Sequence, residues 1–434
     1  MAYHGLIEDL VAGRWRDPAT GRPVRIGTRA IVIEPSLDGA EAALLAPLAL
    51  GERLAVVGDR NTYDALGTRV ARSLAAIAAV DTVVLDAPRA DLATVEALRA
   101  RTSAAAALIA VGSGTLNDLC KYLADQSGRP YAVFATAPSM NGYLTGTASL
   151  ARDGLKSSLP ARPPLAALFD LDVLRRAPVR LIRAGIGDSL CRTTSQTDWL
   201  LGHHLRDVTY SDVPYLLQIE DEAILLSQTK AVLAGDPDGI AALTRLLVLA
   251  GLGMVLAGSS APASMGEHLI GHYIDLMARP HPGSLHGEQI GVATLTLSRL
   301  QNALLSTERP PEVRATRVDE AAMRARYGAG LADQVLGQFR SKALDEAGAA
   351  RMNARLAEVW PTMRARLREV MLPTARLRDA LAAAGAPTTG VDLGLPARFY
   401  RAAVRHAREI RDRYSVLDLA GDAGVLEAFV AEEG

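Results

Sequence analysis

Residues 107–119 read ALIAV-GSGT-LNDL: an apolar run, a glycine-containing turn and the start of an amphipathic segment. The run Ala107–Val111 predicts a buried strand, and Leu116–Gln126 predicts the helix that follows it. A strand, a glycine turn and a helix N-terminus together present backbone N–H groups to a pyrophosphate. The third glycine of the usual dinucleotide pattern is missing. The same residues therefore also fit a tight turn with Ser113 or Thr115 as the helix N-cap.

The pattern on both sides of this turn alternates between strands and helices. Five more short apolar runs predict strands: Ala30–Glu34, Arg53–Val57, Thr82–Asp86, Tyr131–Ala135 and Leu165–Phe169. Two further helical patterns lie between them, at Tyr63–Ala79 and Asp91–Arg101. This alternation predicts a parallel sheet with helices on both faces. Such sheets bind ligands at the carboxyl ends of their strands. Asp59, just after one strand, suits a ribose hydroxyl or an exposed turn equally well.

Strand patterns stop near Pro178, and helical periodicity takes over. The helical segments are Val213–Ala234, Gly239–Ala257, Glu267–Ala278, Gln289–Leu305, Arg351–Val370 and Pro396–Arg413. We therefore predict an α/β dinucleotide-binding domain at residues 1–178 and a helical domain at 179–434. The stretch Leu246–Gly266 carries no charge, but Gly258–Gly266 is rich in Gly, Ser, Pro and Ala. That composition predicts a buried core helix and a turn rather than a membrane span.

Composition limits the class of protein. Hydrophobic residues make up 49% of the 434 residues and charged residues 22%, which is typical of a globular chain. The net charge of −1 argues against a nucleic-acid partner. No signal-peptide pattern follows Met1, and Cys120 and Cys191 cannot form a disulfide framework, so we expect a cytoplasmic protein. Long apolar helix faces favour a homo-oligomer.

Lysine is unusually rare in this chain. Only four of the 47 basic residues are lysines: Lys121, Lys156, Lys230 and Lys342. A lysine that persists in such a chain is either an ordinary surface residue or a residue whose compact, titratable ammonium is needed.

Histidines are concentrated in one segment. Four of the eight fall within nineteen residues: His268, His272, His281 and His286. His268 and His272 share a face if the segment is helical. The neighbouring carboxylates Glu267, Asp275 and Glu288 are expected to point away from that face or to lie too close in sequence. Asp188, flanked by glycines, is the better carboxylate for a metal site of the Asp-His-His type. Surface or capping histidines are the alternative.

A polar segment follows the strand Tyr131–Ala135. Residues Thr136–Tyr143 are rich in hydroxyl and amide groups and are expected at the carboxyl edge of the sheet. Asp153–Lys156 predicts a hairpin turn, and Pro160–Pro164 a stiff loop. Lys156 and Arg162 are the local cations for an anionic substrate, unless this is a loop without a ligand.

Seven segments carry a family resemblance: Gly58–Tyr63, Gly112–Tyr122, Thr136–Tyr143, Asp153–Pro164, Gly185–Leu190, Gly266–His272 and His286–Gly291. In this order they resemble the sn-glycerol-1-phosphate dehydrogenase family, especially its bacterial branch. That family belongs to the superfamily of iron-containing alcohol dehydrogenase, glycerol dehydrogenase and dehydroquinate synthase. The resemblance implies a dehydroquinate-synthase-like fold, with a Rossmann-like α/β domain and an all-α metal-binding domain.

The resemblance also implies roles for individual residues. The implied metal ligands are Asp188, His268 and His286. The implied cofactor-binding residues are Asp59, Gly112, Ser113, Gly114, Thr115, Asp118, Thr136, Ser139 and Thr145. The implied catalytic and substrate-contacting residues are Asp188, His272, Lys156 and Asn141. The chain departs from the family in having Asn141 where Asp is usual and Arg192 where Lys is usual.

The activity implied is reduction of dihydroxyacetone phosphate to sn-glycerol 1-phosphate, and its reverse. It needs NAD or NADP and one divalent ion such as zinc, nickel or iron. Asp59 favours NAD, whereas Arg60 could meet a 2′-phosphate. His272 is a candidate proton donor, and Lys156, Arg162 and Arg192 are candidate phosphate partners. Because of Asn141 and Arg192, two alternatives remain: another polyol or sugar-phosphate dehydrogenase, or a dehydroquinate-synthase-like lyase. A nucleotide- and metal-binding protein without turnover is a third.

Overall fold

The computed structural model describes residues 4–18, 20–152 and 155–433, with the side chains of these except residues 4, 152 and 155–157. The chain folds into two compact units, each built from two stretches of sequence. Unit 1 contains Met1–Ser189 and Asp212–Ser260, and unit 2 contains Leu190–Ser211 and Ala261–Gly434. Every described strand lies at or before residue 170, so the predicted change from strands to helices near residue 178 is present.

Unit 1 is built on a six-stranded parallel sheet. Its strands and the two strands of a separate hairpin are β1 Ala30–Glu34, β2 Arg53–Asp59, β3 Ala79–Leu85, β4 Ala107–Gly112, β5 Tyr131–Ala135, β6 Thr147–Arg152, β7 Leu155–Pro160 and β8 Ala166–Asp170. The sheet order is β1-β8-β5-β4-β2-β3. The chain leaves β2 toward one edge, forms β3, and returns to form β4 on the other side of β2. The carboxyl ends of β2 and β4 therefore flank a topological switch point, where such sheets bind ligands.

All six predicted sheet strands are confirmed, with ends that shift by up to three residues. β4, β5 and β8 are buried along their whole length, as continuous apolar runs predict for parallel strands covered on both faces. The predicted hairpin is present as the antiparallel pair β6–β7. Residues 153 and 154 of its predicted turn lie outside the described residues. Lys156 belongs to β7, opposite Ala151, rather than to the turn.

Helices make up the rest of both units. The first twelve are α1 His4–Val11, α2 Glu41–Leu45, α3 Arg60–Thr62, α4 Thr68–Leu74, α5 Leu92–Arg101, α6 Gly114–Gln126, α7 Leu171–Leu174, α8 Val179–Ser189, α9 Arg192–Arg206, α10 Val213–Leu216, α11 Ile219–Leu233 and α12 Pro237–Ala257. The others are α13 Gly266–Met277, α14 His286–Leu305, α15 Glu320–Tyr327, α16 Ala329–Arg340, α17 Glu346–Val370, α18 Thr374–Ala384, α19 Ala397–His406, α20 Val416–Asp422 and α21 Leu426–Glu432. A π-helical turn, Tyr63–Gly67, joins α3 to α4.

Two sequence predictions about helices have different outcomes. α12 is apolar and long enough to cross a membrane, and 78% of its most apolar window is buried in the protein. It ends at Ala257, and Gly258 follows in the left-handed conformation, so the predicted core helix and turn are present. The predicted helix Pro396–Arg413 is wrong at its end. α19 stops at His406, a 3-10 turn covers Ala407–Glu409, and the chain is irregular from there to α20.

Candidate active site

The glycine turn of unit 1 joins β4 to α6. Gly112 must be glycine here, because a Cβ at this position would lie 2.3 Å from Cδ1 of Leu116. Ser113 occupies the N-cap position of α6, but its side chain makes no capping hydrogen bond. Ser113, Gly114 and Thr115 are partly exposed, whereas β4 behind them is buried. The first N–H groups of α6 are thus available to an anion, as the dinucleotide interpretation requires.

Asp59 lies at the end of β2, across the switch point from this turn. Its Oδ1 accepts the N–H of Thr62 at 2.8 Å, so one oxygen caps the short helix that follows. A cavity of about 460 Å³ opens beside it at the ends of β2 and β3. Its lining residues are Arg60, Tyr63, Asp64, Val84, Leu85 and Asp86. This cavity is polar on one side and lies where the adenosine end of a dinucleotide would lie in such a sheet.

Asp118 and Lys121, both in α6, form hydrogen bonds to the segment that follows β5 and to the start of β6. Asp118 accepts the amide of Asn117 at 3.2 Å and the backbone N–H of Ser149 at 3.0 Å. Lys121 Nζ donates to the carbonyl of Gly142 at 2.7 Å, to Oγ1 of Thr145 at 3.1 Å and to the carbonyl of Thr147. Burial lowers the pKa of Lys121 to about 8, since Asp118 offsets only part of the lost hydration.

This buried ammonium predicts a pH-dependent stability. Between pH ~8 and the usual lysine pKa of ~10.4, the unfolded chain binds a proton that the folded chain does not. The free energy of unfolding of the wild type should therefore rise by up to about 3 kcal/mol over this range, relative to Lys121→Met. Denaturant titrations at pH 7.5 and 10.5 measure the difference. Lys230→Met, which alters an exposed lysine, is the control. If the free energy of unfolding changed with pH by the same amount in the wild type and in Lys121→Met, the prediction would be contradicted.

The polar segment after β5 contacts the end of α8. The backbone N–H of Asn141 donates to Oδ2 of Asp188 at 2.8 Å. A Cβ on Gly185 would lie 1.8 Å from the carbonyl oxygen of Pro138, and a Cβ on Gly251 would lie 2.7 Å from that of Asn141. These two glycines let α8 and α12 pack directly on the segment. Gly185, three residues before Asp188, therefore has a packing reason, and the close approach of α8 brings the carboxylate of Asp188 to the backbone of Asn141.

The predicted nicotinamide-side residues are buried in the same segment: Thr136, Ser139 and Thr145 are less than 10% exposed. Asn141 is 8% exposed, and its Nδ2 is buried with no hydrogen-bond partner among the side chains and backbone that the structure describes. A buried amide donor in this state costs about 1–3 kcal/mol, which a bound polar group would recover.

Three histidines of unit 2 converge where α13 and α14 meet. The ring centroids of His268 and His286 are 5.2 Å apart, and a ring nitrogen of each lies within 4.8 Å of the other. The ring of His272 lies 6.1 Å from His268 and 6.0 Å from His286. His281 lies outside this group, because its Nε2 donates to Asp275 at 3.2 Å. The clustering of His268, His272 and His286 is as the sequence predicts.

Glu267 is the residue that sequence reasoning missed. Its Oε1 accepts from Nδ1 of His268 at 3.0 Å and from the N–H of Met265 at 2.7 Å, and Thr194 donates to Oε2. The sequence analysis considered Glu267 only as a metal ligand and not as a hydrogen-bond partner of the neighbouring His268. Burial alone would raise the pKa of Glu267, but the contact with His268 outweighs it and holds that pKa below its usual value. A carboxylate that holds Nδ1 leaves Nε2 of His268 for a metal.

Glu267→Gln should weaken metal binding without removing a ligand. Carboxylates that orient a metal-bound histidine typically contribute about 10- to 100-fold to metal affinity, and we expect a loss of that size. Competition titration with a metal-binding dye measures it. Asp275→Asn, which alters the carboxylate partner of His281, is the matched control. Equal affinities in both variants would show that Glu267 does not orient His268.

The candidate phosphate partners Lys156, Arg162 and Arg192 differ in their surroundings. The side chain of Lys156 lies outside the described side chains. Arg162 is exposed and pairs with Asp125 at 2.9 Å. Arg192 is buried at the start of α9 and donates to Gln196 at 2.8 Å. Cys191, one residue earlier, groups with Glu267 and His268, with ligand atoms within 4.8 Å of one another. Cys120 and Cys191 are both buried and are not joined by a disulfide.

Comparison with known proteins shows which families this chain resembles. The profile of the iron-containing alcohol dehydrogenases matches residues 32–178. Over 192 residues the chain is 34% identical to a glycerol-1-phosphate dehydrogenase (NAD(P)+) of Pyrococcus furiosus, a match that covers 44% of this chain and 55% of the relative. The chain thus spans about half the length of that relative. Over 385 residues it is 29% identical to the glycerol-1-phosphate dehydrogenase (NAD(P)+) of Bacillus velezensis, covering 86% of each chain.

A solved structure supports the same fold. The crystal structure of a probable glycerol dehydrogenase from Sinorhizobium meliloti superposes with a TM-score of 0.61 and 18% identity, over 93% of this chain and 98% of that one. The resemblance seen in the sequence is thereby confirmed: residues 32–178 match the iron-containing alcohol dehydrogenases, and most of the chain is similar to a glycerol-1-phosphate dehydrogenase.

Proposed function

We propose that this protein reduces dihydroxyacetone phosphate to sn-glycerol 1-phosphate, and catalyses the reverse reaction, with NAD(P)H and one divalent metal ion. The observation that carries the proposal is the convergence of His268 and His286, with His268 oriented by the buried Glu267. A surface or capping histidine needs no such carboxylate at 0% exposure. The substrate class in the proposal is supported by the similarity to glycerol-1-phosphate dehydrogenases.

The donor set fits a divalent metal ion. His268 offers Nε2, and His286 offers a ring nitrogen. Asp188 would supply a carboxylate. In the sequence it lies only three residues before Cys191, the residue that groups with Glu267 and His268. Two imidazoles and a carboxylate suit zinc, nickel or iron, and leave a position for a substrate oxygen. Bound there, a divalent ion would supply Lewis-acid polarisation of a ketone.

The turn Gly112–Thr115 would hold the pyrophosphate of the dinucleotide, and the cavity beside Asp59 its adenosine. Arg60 Nε lies 3.2 Å from a carboxylate oxygen of Asp86. This ion pair offsets the positive charge of Arg60, which the 2′-phosphate of NADP would need as a partner. We therefore propose NAD as the preferred cofactor. NADP should bind as well as NAD only if Arg60 leaves Asp86.

The chain's own polar residues would position the substrate. Thr136, Ser139 and Thr145 would contact the nicotinamide, and the free Nδ2 of Asn141 would donate to a substrate oxygen. His272 accepts from Arg411, with 3.4 Å between the Nη2 and Nε2 atoms. Since a guanidinium only donates, Nε2 carries no proton and a proton would leave His272 from Nδ1.

Asn141 supports a second candidate. An uncharged amide, buried where the family usually has a carboxylate, would fit a substrate with a different hydroxyl pattern. Another polyol or sugar-phosphate dehydrogenase, or a lyase of the dehydroquinate synthase type, is therefore the alternative. We also propose a cytoplasmic homo-oligomer without a nucleic-acid or membrane partner.

The configuration of the product tests the assignment. After reaction with dihydroxyacetone phosphate, the phosphorylated product should resist oxidation by an sn-glycerol-3-phosphate dehydrogenase, while authentic sn-glycerol 3-phosphate is consumed. Phosphate is assayed in parallel. Oxidation of the product would contradict the stereochemistry, and phosphate release without net nicotinamide oxidation would favour the lyase.

A further inference from the structure

Helix α6 buries three polar side chains that packing alone does not explain. Asn117 and Lys121 are 0% exposed, and Asp118 is 9% exposed. Spacings of three and four residues place Lys121 beside both of the others on one face of the helix. Burial of such side chains costs free energy unless new hydrogen bonds replace those to water. An apolar residue would pack there without that cost, so the polar face of α6 indicates contacts that have another purpose.

The ammonium of Lys121 contacts three oxygens of the segment after β5. Its Nζ lies 2.7 Å from the carbonyl oxygen of Gly142, 3.1 Å from Oγ1 of Thr145 and 3.1 Å from the carbonyl oxygen of Thr147. Because an ammonium has three N–H donors, each donor has an oxygen of this segment as its partner. The hydroxyl of Thr145 joins the network, since its Oγ1 lies 3.0 Å from the same two carbonyl oxygens. Lys121 therefore fixes both backbone and side-chain groups of the segment relative to α6.

The backbone at residues 141 and 142 is held from two sides. Lys121 binds the carbonyl of Gly142, and the N–H of Asn141 donates to Oδ2 of Asp188 at 2.8 Å. A Cβ on Gly142 would lie 2.9 Å from Sδ of Met140, so this backbone is also closely packed. Asn141 carries the buried Nδ2 that would donate to the substrate, and Asp188 would supply the carboxylate at the metal. The position of both groups therefore depends in part on the backbone that Lys121 holds.

We propose that Lys121 is a positioning residue, which holds residues 141–147 in the place that hydride transfer requires. The inference rests on the proposed function for the identity of the cofactor, and on contacts within unit 1 for the geometry. α6 begins at the turn that would hold the pyrophosphate, and Lys121 lies about two helical turns after Gly114. A single helix would thus bind the pyrophosphate at its N-terminus and fix the nicotinamide-side segment through its lysine.

The first test separates kcat from KM. Lys121→Met removes the three donors but keeps an unbranched side chain. The kcat for dihydroxyacetone phosphate should fall by about 100-fold, because a misplacement of ~1 Å can cost that much in the chemical step. The KM for NADH should change little, since the pyrophosphate turn and the adenosine cavity keep their contacts. Intact sites are counted by titration with ADP-ribose, which lacks the nicotinamide, so that an unfolded fraction does not lower kcat.

Lys342→Met is the matched control. Lys342 is 3% exposed in unit 2, and its Nζ donates to the carbonyl of Arg413 at 2.7 Å and to Asp418 at 2.9 Å. This variant also loses a buried lysine that binds a carbonyl, so its free energy of unfolding should fall as well. Its kcat per intact site should equal that of the wild type. An equal loss of kcat in both variants would overturn the positioning role.

The second test needs no turnover, because the fluorescence of bound NADH reports the surroundings of the nicotinamide ring. In Lys121→Met the emission should shift toward that of free NADH, while the affinity for ADP-ribose stays at the wild-type value. If Lys121→Met does not fold, Lys121→Gln takes its place; its shorter side chain cannot reach all three oxygens, so the same changes should appear at smaller size.

The outcomes distinguish this inference from the proposed function. Wild-type kcat and emission in the folded Lys121 variant would overturn the inference alone. Loss of ADP-ribose binding in that folded variant would also overturn it, because the lysine would then only hold α6 in place. A wild type that shows the expected emission shift on substitution but reduces no ketone phosphate would overturn the proposed function alone. A wild type that binds neither NADH nor ADP-ribose would overturn both.

Discussion

His286→Ala should lower the affinity of the protein for Zn²⁺ by about 100- to 1000-fold. Zinc binding at sites with four donors is worth about 10–16 kcal/mol, or about 2.5–4 kcal/mol for each ligand. His286 begins α14, and its ring lies 5.2 Å from that of His268, so its removal takes away one of two converging imidazoles. Metal-dependent ketone reduction should fall in proportion. Zinc affinity is measured by competition with a chelating dye.

His281→Ala is the matched control for this variant. His281 belongs to the same histidine-rich segment, but it is partly exposed and bonds to Asp275. We expect its zinc affinity to equal that of the wild type. If both variants lost zinc equally, the site would not be the one formed by His268 and His286. If neither did, those histidines would not bind the metal.

Gly185→Ala should destabilise unit 1 by about 3 kcal/mol. Overpacking typically costs about 1–3 kcal/mol or more, and the upper end is expected here because the added methyl group meets backbone atoms rather than a flexible side chain. The added Cβ would lie 1.8 Å from the carbonyl oxygen of Pro138, so α8 or the segment Pro138–Asn141 must move. Either movement lengthens the hydrogen bond from the Asn141 N–H to Asp188. Thermal unfolding should therefore shift downward by roughly 6–12 °C.

Gly337→Ala provides the comparison at another helical glycine. Gly337 is exposed in α16, and a Cβ there would have no atom within 4 Å. Alanine is the better helix former by about 0.5–1 kcal/mol, so this variant should be slightly more stable than the wild type. A Gly185→Ala protein as stable as Gly337→Ala would show that α8 does not pack on Pro138 as described.

Local patterns predicted the parts of the site that depend on neighbouring residues. The predicted strand, glycine turn and helix at Ala107–Gln126 are confirmed. They could be predicted because the apolar run of the strand, the glycines of the turn and the helical periodicity all lie within twenty residues. Two of the four lysines in this arginine-rich chain have a structural role. Lys121 and Lys342 are buried and donate to backbone carbonyls, whereas Lys230 is exposed.

Other parts depend on contacts that no local pattern shows. Helical periodicity places adjacent residues about 100° apart, so it gives no reason to expect a contact between Glu267 and His268. At the first turn of α13, however, the carboxylate turns back to the N–H of Met265 and so reaches Nδ1 of His268. Arg411 and Arg413 were assigned to a helix because apolar periodicity continued past Ala407.

Metal-dependent reduction of a ketone phosphate can be followed as the loss of NADH absorbance on adding dihydroxyacetone phosphate. Protein stripped of metal, protein reloaded with zinc, nickel or iron, and reloaded Asp188→Ala are compared at equal NADH occupancy. We predict rapid oxidation by the reloaded wild type and almost none by the other two. Oxidation that survives metal removal, or its absence in reloaded protein that binds both NADH and metal, would contradict the account.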